Sequence, residues 1–171
     1  MTPYLVTPPA SLPLTVSDAK ADPALRITHS EEDAALERLI SGFTAELDGW
    51  NGLLGRCIMP QVWAVDVTGP GPHVLPFPDA SSITAQVDGD PAQVDVARMA
   101  IGHVVAVKDV AADAKVTISA TYGLPAQDVP RAQTLIVLML QRHYDNVTGP
   151  EFDARTSAIN HGINSLRWRR V

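Results

Sequence analysis

Apolar side chains recur along this chain in two rhythms, and the rhythm changes twice. Leu36, Leu39, Ile40, Phe43, Leu47 and Trp50 recur at helical spacing, which places them on one stripe of an α-helix. Ser30 stands ahead of the stripe as an N-cap, and Glu31, Glu32 and Asp33 fill the positive first turn. The pattern predicts a helix from Ser30 to Trp50, ended by Asn51-Gly52 or Gly55. A shorter helix is predicted over Val16–Ala21, capped by Thr15, with Asp18 at its third position and Pro23 ending it.

From Ile58 to Thr121 the rhythm shortens toward two. Val62, Trp63, Val65 and Val67 alternate in part, with Pro60 marking a sheet edge or a late strand start. Further strands are predicted at Ser82–Val87, Val94–Val96, Val104–Val107 and Val116–Thr121. Asp88-Gly89 is a strong hairpin-turn dipeptide, and Thr68-Gly69-Pro70-Gly71-Pro72 is a loop.

After Val129-Pro130 the helical rhythm returns, with proline at the first position of a helix predicted to reach about Asn146. Leu135 to Leu140 makes this helix apolar on all sides, and such a helix must be covered all round. A small sheet is not expected to cover it alone. Leu135, Ile136, Leu138, Met139 and Leu140 are therefore candidates for a subunit interface. Gly149-Pro150 breaks the chain before a last helix from Glu151, which places Phe152, Ile159, Ile163 and Leu166 on one face; Gly162 weakens it.

These elements predict an α+β fold, mainly helical, with three to four helices and a small antiparallel sheet or β-hairpin. One domain is expected over residues 15–165. It follows an extended Pro-rich arm at 1–14, a docking arm or a strap, and precedes a basic-aromatic tail at 166–171.

Composition narrows the picture. A chain of 171 residues, 46% apolar and 19% charged, suits one domain with its own core. Cys57 is the single cysteine, which excludes an internal disulfide or a cysteine-rich zinc module and makes a reducing, cytoplasmic site of synthesis the expectation. No secretory signal is expected in residues 1–14, where prolines interrupt every apolar run, and no stretch approaches the roughly 20 residues of a membrane span. The net charge of −6 is uneven. Residues 1–130 hold 16 of the 19 acidic side chains, whereas residues 131–171 hold 6 of the 13 basic ones. The acidic body argues against general nucleic-acid affinity, and the basic end suits one local partner.

Candidate chemistry is sparse. His29, His73, His103, His143 and His161 are scattered without metal-ligand spacing, and His143 and Asp145 point to different helix faces. Asp88-Gly89-Asp90 with Asp95 fails as a calcium loop, because Ala92 and Gln93 fall where a ligand and the turn glycine belong. Gly69-Pro70-Gly71-Pro72 lacks the lysine-serine pair of a phosphate loop. Cys57 follows Arg56, which favours a thiolate, but a buried structural thiol is the simpler reading. No catalytic, metal or cofactor site is expected. The tail differs: Arg167, Trp168, Arg169 and Arg170 have the composition of binding hot spots.

The order of these signatures resembles the head–tail connector (adaptor) proteins of long-tailed bacteriophages and gene transfer agents. The residues that carry it are Leu14-Thr15, Asp18-Ala19-Lys20, Leu25-Arg26-Ile27, Ser30-Glu31-Glu32-Asp33, Gln61-Val62-Trp63, Leu75-Pro76-Phe77-Pro78, Ser82-Ile83-Thr84, Thr121-Tyr122-Gly123 and Val129-Pro130, followed by the apolar helix and the terminal arginines. Pro23 departs from the family's longer first helix, and the tail lacks the family's proline-tyrosine pair. The resemblance implies a ring-forming, non-enzymatic adaptor, dodecameric, in the neck of a particle assembled in the bacterial cytoplasm. DNA would pass through its lumen unbound, and a downstream stopper or tail protein would dock below. The tail residues Leu166, Arg167, Trp168, Arg169, Arg170 and Val171 would grip the portal, so that deleting 166–171 abolishes attachment and spares the fold. The rivals are a stopper or tail-terminator ring, a small ligand-binding or hydrolytic domain, and a nucleic-acid module.

Overall fold

The computed structural model describes residues 2–23, 25–27, 29–144 and 149–168. Its helices are α1 (Val16–Ala21), α2 (Asp33–Leu47), α3 (Val129–Tyr144) and α4 (Pro150–Leu166). Its strands are β1 (Tyr4–Thr7), β2 (Gln61–Thr68), β3 (His73–Val74), β4 (Ala80–Val87), β5 (Asp90–Ala92), β6 (Val94–Met99), β7 (Gly102–Val107) and β8 (Lys115–Tyr122). The fold is α+β as expected, but at about 34% helix and 28% strand among the described residues it is not mainly helical. The expected small sheet or hairpin is two antiparallel sheets, ordered β1-β2-β8-β4-β5 and β3-β7-β6.

The helix starts show how local chemistry sets the elements. Thr15 caps α1 in a capping box, its hydroxyl accepting from the Asp18 N–H at 3.1 Å. The expected Ser30 cap of α2 is displaced. Ser30 instead closes a turn by accepting the Asp33 N–H on its carbonyl, and the helix begins behind Glu32, without a side-chain cap. It ends at Leu47, so Trp50 lies beyond the helix and turns toward the sheets. In α4, Ile159 and Leu166 face inward, but Phe152 is exposed, so its expected place on the apolar face is not realised.

Two hydrophobic cores result. One gathers the helices around Leu36, Ile40, Leu135, Ile136, Met139, Leu140, Ile159 and Leu166. The other lies between the sheets, where Val105 and Val107 of β7 pack with Val65, Val67, Val116 and Ile118. The β4–β5 hairpin turns through Asp88 (φ 52°) and Gly89 (φ 95°). Both sit in the left-handed region that a two-residue hairpin demands.

Within the core between the sheets, the elements are joined by aromatic rings. The Phe77 ring makes edge-on contacts with Tyr122 (4.9 Å between centroids), Trp63 (5.4 Å) and Trp50 (6.1 Å). Three of the short motifs that read as separate signatures therefore meet at one buried cluster, where such pairs add about 0.5–1.5 kcal/mol each beyond area burial.

Candidate functional site

A second joint, built on charge, positions the C-terminal segment. Arg56 stands in the loop between α2 and β2. It donates from Nε to Asp79 Oδ2 (2.7 Å) and from Nη2 to Asp79 Oδ1 (3.0 Å), a bidentate pair with both side chains mostly buried. Nη2 also lies 3.8 Å from Asp128 Oδ2, and Asp128 in turn pairs with Arg131 at the start of α3. The remaining Nη1 donates to the Leu166 carbonyl at 3.1 Å, at the C-terminal end of α4. One guanidinium thus ties the α2–β2 loop, the segment before β4, the entry to α3 and the end of the last helix.

The chain continues from there along the body. The Trp168 N–H donates to the Leu54 carbonyl at 2.8 Å. Gly55, at φ 60°, lets the two backbones approach, since a Cβ there would stand 3.2 Å from the Trp168 carbonyl. The indole lies over the start of β7, where a Cβ on Gly102 would meet Trp168 Cζ2 at 3.9 Å and Pro78 Cα at 3.8 Å.

Of the residues expected in the tail, Leu166 is the last residue of α4 and is buried, Arg167 is exposed, and Trp168 is half-buried. Arg169, Arg170 and Val171 lie outside the described residues. Removing 166–171 would therefore take a core leucine with it, whereas a truncation beginning at Arg167 leaves Leu166 in place.

The α3 residues expected at a subunit interface are placed differently from one another. Leu135, Ile136, Met139 and Leu140 are buried in the chain's own helical core. The cover that sequence reasoning sought from neighbouring subunits is supplied by α2, α4 and the Leu12–Leu14 segment. Leu138 alone stays half-buried, on a groove of about 200 Å³ shared with Arg131, Thr134, Gly162 and Ser165. A larger groove of about 450 Å³ runs between the arm (Ser11 to Ser17) and Glu37 and Ile40 of α2.

Sequence reasoning missed the exposed apolar strand edges. Tyr4, Leu5 and Val6 on β1, and Val96, Met99 and Ile101 on and beside β6, are 41–57% exposed. β1 and β6 each close one end of a sheet. For β6 the signal available was a Val-rich run with no proline, which predicted a strand but not that its faces would be open; β1, among prolines, offered no such signal.

Asp48 and Cys57 are titratable groups altered by burial near this joint. The Asp48 carboxylate accepts from the Ile58 N–H (2.5 Å) and from Gln61 Nε2 (2.7 Å), and Gln61 Oε1 in turn accepts from Trp63 Nε1 (3.1 Å). Burial raises the Asp48 pKa above its ordinary value against those two stabilising bonds. Burial, reinforced by Asp48 and Asp79, pushes the Cys57 thiol strongly up, which makes it a structural thiol and not a nucleophile. Among the described residues no group of three His, Cys, Asp or Glu side chains could hold a metal ion. Among them, too, no helix is long and apolar enough to cross a membrane.

No family model matches the sequence, and no curated protein does. Solved structures do match. A chain from the neck of an empty gene transfer agent particle, computed with C6 symmetry, superposes with a TM-score of 0.69 at 18% identity, over 100% of this chain and 97% of that one. A chain from the virion of a native gene transfer agent particle matches to the same degree. At that identity the likeness establishes a shared fold along the whole length of both chains.

Proposed function

We propose that this chain is a structural head–tail adaptor, one subunit of a ring in the neck of a phage-like particle, joining the portal to the tail while DNA passes through the lumen. The observation that carries the reading is the end-to-end likeness to a neck chain, with neither chain contributing a large extra domain. The residue pattern that resembles adaptors supports it independently. A net charge of −6, with the acidic residues concentrated in the body, also suits a channel that must not hold phosphate. The sixfold symmetry of that neck fits a ring of six or twelve copies, of which the dodecamer is our reading. Arg167 and Trp168, with Arg169, Arg170 and Val171 beyond, are the proposed portal contact. Of the five α3 residues expected at an interface, Leu138 is the one left available to a neighbouring subunit.

The strand content favours one rival, a stopper ring of the same neck, since two antiparallel sheets exceed what the adaptor resemblance led us to expect. Complementation separates the two. Cells lacking the chain and supplied with a version truncated after Leu166 should produce filled heads that do not retain the ring. An adaptor so truncated leaves the portal bare, whereas a stopper so truncated leaves an adaptor ring in place.

A further inference from the structure

The four strand edges of this chain are not alike. β5 is three residues long and contains Pro91, and β3 is two residues long. Both are blunted in the way that natural sheets avoid unwanted pairing. β6 has six residues, no proline and no described strand on its outer side, and exposes Val96 and Met99. β1 exposes Tyr4, Leu5 and Val6 on the other sheet, and Pro3 and Pro8 bracket it. Two edges that expose large apolar side chains in one chain are an aggregation hazard unless something covers them.

Topology places them at opposite ends of the β half. β1 lies at one end of the five-stranded sheet and β5 at the other, four strand spacings apart, or roughly 19 Å at about 4.8 Å per spacing. From β5 the chain passes through Gln93 directly into β6, so the β6 edge lies on the β5 side. One chain therefore cannot pair its own β1 with its own β6. A contact between β1 of one copy and β6 of the next is instead heterologous and repeats, the geometry that closes a ring.

Charge selects the same partner. Arg98 is the basic residue of β6 and is exposed, with no ion pair among the described residues, whereas Asp95 beside it is already paired with Lys108 at 2.9 Å. Beside β1, the exposed Asp66 carboxylate accepts from the Tyr4 hydroxyl (3.3 Å) and the Thr117 hydroxyl (2.8 Å) but, among the described residues, meets no cation closely enough for an ion pair. Lys115 is two residues along β8 from Thr117 and leaves that carboxylate unbridged.

We infer that the β1 edge of one subunit (Tyr4–Thr7) pairs with the β6 edge (Val94–Met99) of a second copy of this chain, with Arg98 directed at Asp66. The pairing deepens the ring reading proposed above and rests on it for its biological setting. It would join the five-stranded sheet of one copy to the three-stranded sheet of the next by main-chain hydrogen bonds.

The test uses the full chain with Leu5→Cys and Ala97→Cys introduced singly and mixed. Both sites are exposed, and the buried Cys57 does not compete for reagent. A short bis-maleimide is applied to the mixed purified chains at high concentration, and to purified particles from cells expressing both. A 5–97 link between copies in either sample is expected, with a several-fold loss when Arg98→Glu is added and recovery when Asp66→Lys accompanies it. A 5–5 link alone, or no link in either sample while the chain is present in particles, overturns the edge pairing and leaves the neck reading standing. A 5–97 link in solution with the chain absent from particles does the reverse.

Discussion

Arg56 Nη1 donates to the carbonyl of Leu166 across 110 residues of sequence, at 3.1 Å. That contact makes the end of the last helix part of the same charged joint as Asp79 and Asp128. The segment proposed to reach a partner thus starts from a fixed point on the body.

Arg56→Ala would leave Asp79 mostly buried without its cation, and breaking such a pair costs about 3–5 kcal/mol. Arg56→Lys keeps the charge but loses the fork, and a deficit of about 1–2 kcal/mol is expected from the lost hydrogen bonds. Urea unfolding monitored by tryptophan fluorescence measures both. Equal losses for the two variants would show that charge without the fork contributes nothing, and no loss for Arg56→Lys would show that geometry contributes nothing.

Asp48 gives a pH signature. Burial raises its pKa above the ordinary 3.8, so the folded chain holds this proton more tightly than the unfolded chain does. Its contribution is therefore greatest below 3.8 and weakens as pH rises through the raised folded value. Asp48→Asn removes that dependence and also sets an amide against Gln61 Nε2, a fixed loss of about 1 kcal/mol. The deficit of the variant should narrow as pH rises through this window and stay constant above it. A deficit that widens with pH would mean that the hydrogen bonds to Ile58 and Gln61 outweigh burial.

Two glycines should respond oppositely to alanine. Gly69 has φ 75°, and a Cβ there would lie 2.7 Å from the Ala112 carbonyl oxygen, a backbone atom. Gly69→Ala should cost about 1–3 kcal/mol. Gly162 is helical, and its Cβ would stand 3.1 Å from Leu135 Cδ1, the tip of a side chain bordering the α3–α4 groove. Leu135 has room to yield there, so Gly162→Ala should raise stability by up to about 1 kcal/mol. Thermal melts of the two variants decide it, and a lowered midpoint for Gly162→Ala would show that Leu135 is held rigidly.

Cys57 should react with a thiol reagent at the rate of global unfolding, because burial both hides the thiol and suppresses its thiolate. Phe77→Ala should speed that reaction through a loss of about 3–5 kcal/mol at the aromatic joint. Labelling of the native chain faster than it unfolds would place a local opening at the α2–β2 loop.

Much of this fold was legible because its signals are local. Thr15 with Asp18, Asp88-Gly89 and Val129-Pro130 carry their own capping and turn chemistry, and each element begins or turns where they stand. What escaped was set by distant partners. β1 lies among prolines with all four side chains exposed, so no alternation marks it, and it is a strand because β2 offers an edge. Trp168 reads as a bare terminal tryptophan until Leu54 and Gly102 come beside it. The apolar α3 was read as needing cover on every side, but one side stays open along Arg131, Thr134 and Leu138, and whether the cover of the rest comes from the same chain or a neighbour is not a property of the helix. In the candidate surfaces, composition pointed to the basic tail, whereas the Arg56 joint depends on Asp79, Asp128 and the end of α4, which no motif brings together.

Cryo-electron microscopy of purified particles, with this chain fitted to the neck density, decides whether the chain is an adaptor. A ring of this chain against the portal is expected, with Trp168 and the arginines after it facing the portal subunits. Density for the chain away from the portal, or particles whose necks lack it, would contradict the adaptor reading.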